Sequence, residues 1–155
     1  MGKLVDPKRH PSEADLVAEF CDILSSSGAH PWGQLRFTRE FDYARGRTDV
    51  IAVDDDHNIV AFEAKLERWR DALHQAYRNT SFAHQSYILV PEAVAARASR
   101  YAHEFGRRAV GICFIKDGTV RVGLQARDNV PVLPWLSRLA VNATRGQDGA
   151  RRTDA

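Results

Sequence analysis

Cysteine is nearly absent from this chain of 155 residues, and the two thiols it has stand alone. Cys21 lies in an apolar helical pattern and Cys113 in the strand-like run Gly111-Ile112-Cys113-Phe114-Ile115. So placed, they form neither a disulfide framework nor the paired spacing of a zinc site, and both read as buried and inert. A long apolar run is also missing, as is the apolar core of a secretory signal, so no membrane association and a cytoplasmic location are expected. Strong charge of one sign is missing too. A formal charge of +2 permits contact with nucleic acid without requiring it, because phosphate binding depends on how the basic residues cluster. There is no internal repeat, no helix-turn-helix or zinc module, and the six histidines show no ligand spacing.

What is present is the patterning of one globular domain. Residues 1–11 are polar and proline-bearing and read as a flexible segment. Ser12, with Asp15 three positions on, is close to a capping box and opens a helix expected to run to about Ser26. Leu16, Val17, Phe20, Ile23 and Leu24 form its apolar face, with Glu13 toward the middle of that face and Glu19 at its edge. Leu35 to Tyr43 and Arg47 to Val53 alternate as strands. Asp54-Asp55-Asp56-His57-Asn58 reads as a hairpin turn, since a calcium loop would need a glycine and a distal glutamate that do not follow. The strand Ile59 to Ala64 runs into a helix from Leu66 to Asn79. A strand to Val90, a helix from Glu92 to Phe105, and a hairpin turning at Lys116-Asp117-Gly118 come next. Pro131 to Val141 suggests a short last helix, and residues 142–155, rich in Arg, Gly, Asp and Thr, read as a disordered tail. The domain proper is then 12–141. Its element order indicates an α/β fold, a mixed sheet flanked by helices.

Three charged residues interrupt the apolar strands. Asp49 lies in Gly46-Arg47-Thr48-Asp49-Val50-Ile51, and Glu63 and Lys65 end the run Ile59-Val60-Ala61-Phe62-Glu63-Ala64-Lys65. Charges in buried strands lose solvation unless they find a partner or a metal. Glu63 and Lys65 are two apart and share a face of a regular strand, so a neighbouring Asp49 completes two carboxylates and an ammonium around one point.

An acid on one strand followed by Glu-x-Lys at the end of the next resembles the PD-(D/E)XK nuclease superfamily. Gly46-Arg47-Thr48-Asp49-Val50 is similar to the corresponding stretch of small resolvase-like and DNA-repair nucleases. Ala72-Leu73-His74-Gln75-Ala76 resembles the helix, with its glutamine, that follows the lysine in many members. Thr48 departs from the pattern, standing where proline is usual. The match spans roughly residues 12 to 92. It implies a restriction-endonuclease-like sheet and a Mg2+ site, with Mn2+ able to substitute. Asp49 and Glu63 would bind the metal with the Ala64 carbonyl, and Lys65 would orient or help deprotonate the attacking water. Glu13 is the supplementary metal-site acid, with Glu19 as competitor, and Gln75 would contact the site or the substrate backbone.

Magnesium suits such a site because it takes oxygen ligands, keeps several waters and is commonly held by one or two carboxylates plus substrate phosphate. Arg45 and Arg47 flank the acid strand, and Arg68, Arg70 and Arg78 sit on or near the following helix. All five are candidate phosphate contacts, with an ordinary solvated basic face as the competing reading. Trp69 and Tyr77 match an apolar stripe and read as core; His74 is the one histidine near the site. A magnesium-dependent nuclease acting on DNA is therefore expected, with RNA as an alternative substrate and a homodimer plausible for cutting two strands. The competing function is a catalytically inactive nucleic-acid- or protein-binding module on the same scaffold, its charges forming a structural ion pair.

Overall fold

Ser12 opens the first helix in the computed structural model, which describes residues 10–44 and 46–153. Its Oγ accepts the Asp15 N–H at 3.1 Å and lies 2.7 Å from the Asp15 carboxylate, satisfying a free donor of α1 (Glu13–Leu24). Three antiparallel strands follow, β1 (Arg36–Tyr43), β2 (Gly46–Val53) and β3 (Ile59–Ala64). Between β2 and β3 the Asp54 carboxylate accepts the N–H groups of Asp56 and Asn58, both at 2.9 Å, so the acidic run is the expected turn.

Helix α2 (Trp69–Asn79) then crosses to β4 (Gln85–Leu89), parallel to β3. A second crossover, made of α3 (Glu92–Ala98), a 3-10 turn and α4 (Ala102–Arg107), leads to β5 (Val110–Lys116), parallel to β4. Asp117 and Gly118, both left-handed with φ of 52° and 75°, turn the chain into the antiparallel β6 (Thr119–Leu124). That two-residue turn matches the natural twist of the flanking strands. Helix α5 (Pro134–Thr153) closes the chain. The sheet runs in the order β1-β2-β3-β4-β5-β6, a single-domain α/β architecture consistent with a restriction-endonuclease-like fold.

Both faces of the sheet are covered, which is why β3 is buried along its whole length. On one face α1 packs Leu16, Val17 and Phe20 against Val50, Phe62 and Leu89. On the other, α2 to α4 cover Ile88 and Ile112, and α5 covers Ile51, Ile59 and Ala61. Gly111 is required by close packing: a Cβ there would lie 2.5 Å from both Ala126 N and Leu124 O.

Four expectations need correction. Helix α2 begins at Trp69 instead of Leu66, because Trp69 N–H bonds Glu67 O at 2.8 Å in a tight turn that keeps residues 65–68 out of the helix. The helix expected over Glu92 to Phe105 is broken by the 3-10 turn Ser99–Tyr101. The last helix begins at Pro134 and continues through Thr153, so residues 142–153 do not form the disordered tail read from their composition. Buried Val141 and Thr144 carry the packing past the expected end. Tyr77 is 51% exposed and is not core, whereas Trp69 is half-buried and packs on Phe105 at 5.6 Å. Most of the segment 1–11 and the last two residues lie outside the described residues.

Candidate active site

The register of the first three strands creates the site. β2 pairs with β3 from Val53↔Ile59 to Val50↔Phe62, and there the ladder stops. Beyond it, β2 continues to pair only with β1, as in Phe41↔Thr48 and Asp42↔Arg47. Glu40 has a left-handed φ of 55° and lies opposite Asp49, at the one step missing from an otherwise continuous β1–β2 register. Such a backbone costs about 1–3 kcal/mol outside glycine. Its effect is to reset the alternation. Phe41 leaves the α1 side occupied by Phe37 and packs instead with Ile51 and Phe82 on the opposite face. Thr48 turns with it and donates to Asn79 of α2 at 2.8 Å.

Where the main chains part, side chains take over the hydrogen bonding. The Ala64 N–H donates to Asp49 Oδ2 at 2.8 Å, and the Asp49 N–H donates to Glu63 Oε1 at 3.3 Å. Each acid thus accepts from the backbone of the other strand. Lys65 follows immediately, its own N–H still bonded to Leu89 O at 3.1 Å, so its backbone is anchored to β4. The Lys65 ammonium lies 3.8 Å from Glu13 Oε2 at the start of α1.

The electrostatics follow from burial. Glu63 is 1% exposed, and desolvation, reinforced by the neighbouring Asp49 charge, pushes its carboxyl up to about 8. The Asp49 N–H, the Asn79 amide and Arg78 oppose that rise. Glu63 Oε2 is buried without a hydrogen-bond partner among the described residues. Asp49 is also raised, chiefly by desolvation, with the Ala64 N–H and the Lys65 charge pulling the other way and Glu13 adding to the rise.

The structure therefore brings together Asp49, Glu63, Lys65 and Glu13. Glu19 turns elsewhere and pairs with His10. Gln75 is half-buried on α2, one turn before Asn79, and His74 is exposed. Of the arginines, Arg47 is bound to Asp42 at 2.7 Å, and Arg68 lies 3.8 Å from Asp71. Arg70 bonds Glu104 at 2.7 Å and lies over the rings of Trp69 and Tyr101, which ties it to α4. Arg78 is near enough to bear on both Glu63 and Tyr43, and its guanidinium flanks Gly46. Arg45 lies outside the described residues. Sequence reasoning missed Asn79, Thr48 and Tyr43. The available signal was the placement of Asn79 four residues after Gln75, on the same side of α2.

The group suits a divalent cation in donor chemistry: two carboxylates joined across one gap, one carrying an unpartnered buried oxygen. Among the described residues no three His, Cys, Asp or Glu side chains gather as a metal cage. Magnesium needs no such cage, since water and substrate phosphate complete its shell.

No protein-family model matches the chain. No curated protein matches it. Among solved structures it is similar to a protein of unknown function from Silicibacter pomeroyi, with a TM-score of 0.65 and 15% identity over 95% of this chain and 92% of that one. That likeness concerns the fold alone. A repair endonuclease from Pyrococcus abyssi overlaps 63% of this chain and 46% of its own, at 20% identity and a TM-score of 0.36, too low to bear on this chain. Among the described residues no helix is long and apolar enough to cross a membrane.

Proposed function

We propose that the protein is a metal-dependent nuclease of PD-(D/E)XK type that hydrolyses phosphodiester bonds, with DNA as its substrate. The observation carrying this reading is the reciprocal bonding of Asp49 and Glu63 across the parted strands, with Lys65 next along the chain. Asp49, Glu63 and the Ala64 carbonyl would hold Mg2+ or Mn2+, and Glu13 would support the site through Lys65. When bound, the metal would offset charge on the phosphate and lower the pKa of an attacking water. Lys65 Nζ would orient that water by hydrogen bonding and balance charge on the phosphate oxygens. Glu63 must give up its proton before it can serve as a ligand, which links metal binding to proton release. Gln75 would touch the substrate backbone from α2, and Arg45, Arg47, Arg68, Arg70 and Arg78 would supply phosphate contacts.

The test is cleavage of plasmid, branched, single-stranded DNA and RNA with and without Mg2+ or Mn2+. Metal-dependent cleavage lost in Asp49→Asn and Lys65→Ala, with both variants folded, supports the reading. Equal cleavage by wild type and both variants identifies a contaminant and removes it. A second reading, an inactive nucleic-acid- or protein-binding module, is favoured by one observation: Lys65 is engaged with Glu13. Manganese calorimetry separates the two, since the inactive module needs no metal affinity.

A further inference from the structure

Where β2 and β3 part, α2 supplies a polar group to the gap. Asn79, the last residue of α2, is 1% exposed. Its Oδ1 accepts from Thr48 Oγ1 at 2.8 Å and from Tyr43 Oη at 3.2 Å. Two hydroxyl donors on one oxygen fix the amide's orientation and turn its Nδ2 away from them. That Nδ2 is buried without a hydrogen-bond partner among the described residues, and so is Glu63 Oε2. The Asn79 amide is nevertheless close enough to favour the ionised Glu63 carboxylate. A buried donor and a buried acceptor are each costly to leave unpaired, so a small closing movement that joins them is favourable.

We propose that Asn79, held by the Thr48 and Tyr43 hydroxyls, is a positioning residue: its Nδ2 keeps the Glu63 carboxylate in the orientation that lets it share a divalent cation with Asp49. This rests on the reading of Asp49 and Glu63 as a metal-binding pair. Thr48 and Tyr43 come from β2 and β1 on the far side of the left-handed Glu40, so the reset alternation is what brings the support into place.

Two measurements on the full chain test it. In the metal-free, isotope-labelled protein, the Asn79 side-chain amide resonances move in Glu63→Gln and in Thr48→Val. By calorimetry, Mn2+ binding weakens about 10- to 100-fold in Asn79→Leu, as expected for a group behind a ligand. It weakens about two- to tenfold in Thr48→Val and Tyr43→Phe, which each remove one hydrogen bond. A merely structural role lowers the melting temperature and leaves the manganese affinity of the folded protein unchanged; that result in Thr48→Val and Tyr43→Phe overturns the proposal, even where Asn79→Leu fails to fold. Amide resonances indifferent to Glu63→Gln overturn it as well. If wild type binds no manganese while the resonances respond, the metal reading fails and the positioning of Glu63 by Asn79 stands.

Discussion

Between Val53 and Val50, β2 meets β3 through main-chain pairing, with Ile51 and Ala61 fully buried on one face. One residue further, at Asp49, the same two strands meet only through side chains: a carboxylate takes each amide that the partner backbone has released. The sealed end gains stability from apolar burial and satisfied backbone groups, on the order of 2–3 kcal/mol for a side chain the size of Ile51. The parted end gives stability away, because Glu63 is desolvated beside a second acid. The two ends differ by a single register step. A ladder that ended in solvent would need no carboxylate; one that ends under α2 does, and the acids serve the backbone whether or not a cation is bound.

Substitutions at each end test the contrast. The largest effect is expected from Asp49→Asn and Lys65→Ala at the parted end: metal-dependent cleavage falls by about 10³-fold or more, while the melting temperature stays close to wild type. At the sealed end Ile51→Ala reverses that profile, losing about 2–5 kcal/mol in urea denaturation while the folded protein keeps its manganese affinity. Equal damage to both properties in any of these three variants would mean that the two ends are not separable.

Glu63→Gln probes what the parted end costs. The unfolded carboxyl ionises near 4.5, whereas the folded one holds its proton up to about 8. The folded state therefore binds the extra proton between those values, and wild-type stability declines as pH rises through that window. Glu63→Gln, which does not titrate, should be the more stable form at pH 9 by on the order of a few kcal/mol, with the advantage vanishing toward pH 4.5. Parallel melting curves for the two proteins across that range would remove Glu63 as the source of the cost. The smallest effect belongs to Glu13→Gln. Its partner lies 3.8 Å away and Glu13 is 48% exposed, so a stability change under about 1 kcal/mol is expected by denaturation.

Much of this was legible in the chain. Asp117-Gly118 announced its turn because both positions need left-handed backbone and the pair tolerates it. Asp49, Glu63 and Lys65 stood out because charge inside an apolar strand is rare enough to demand a reason. Glu40 gave no warning: a left-handed glutamate looks in sequence like any strand residue, and the resulting shift of Phe41 and Thr48 to the other face follows from it. Asn79 was hidden for a related reason, since a polar residue at a helix end reads as solvated until tertiary packing buries it. The length of α5 was obscured because composition after Val141 resembles a tail, whereas packing of Leu136, Ala140 and Thr144 decides the outcome.

Glu13 is the first residue of α1, and first turns are among the parts of a fold that open at least free-energy cost. The Lys65 side chain, 25% exposed, is thus tethered to a segment prone to brief local release, while its backbone is stapled to the buried strand β4. Fraying of a single helical turn would set the ammonium loose without disturbing either carboxylate. The acids are thereby preset, and the long Lys65 arm beside them is left to swing on the timescale of helix-end breathing.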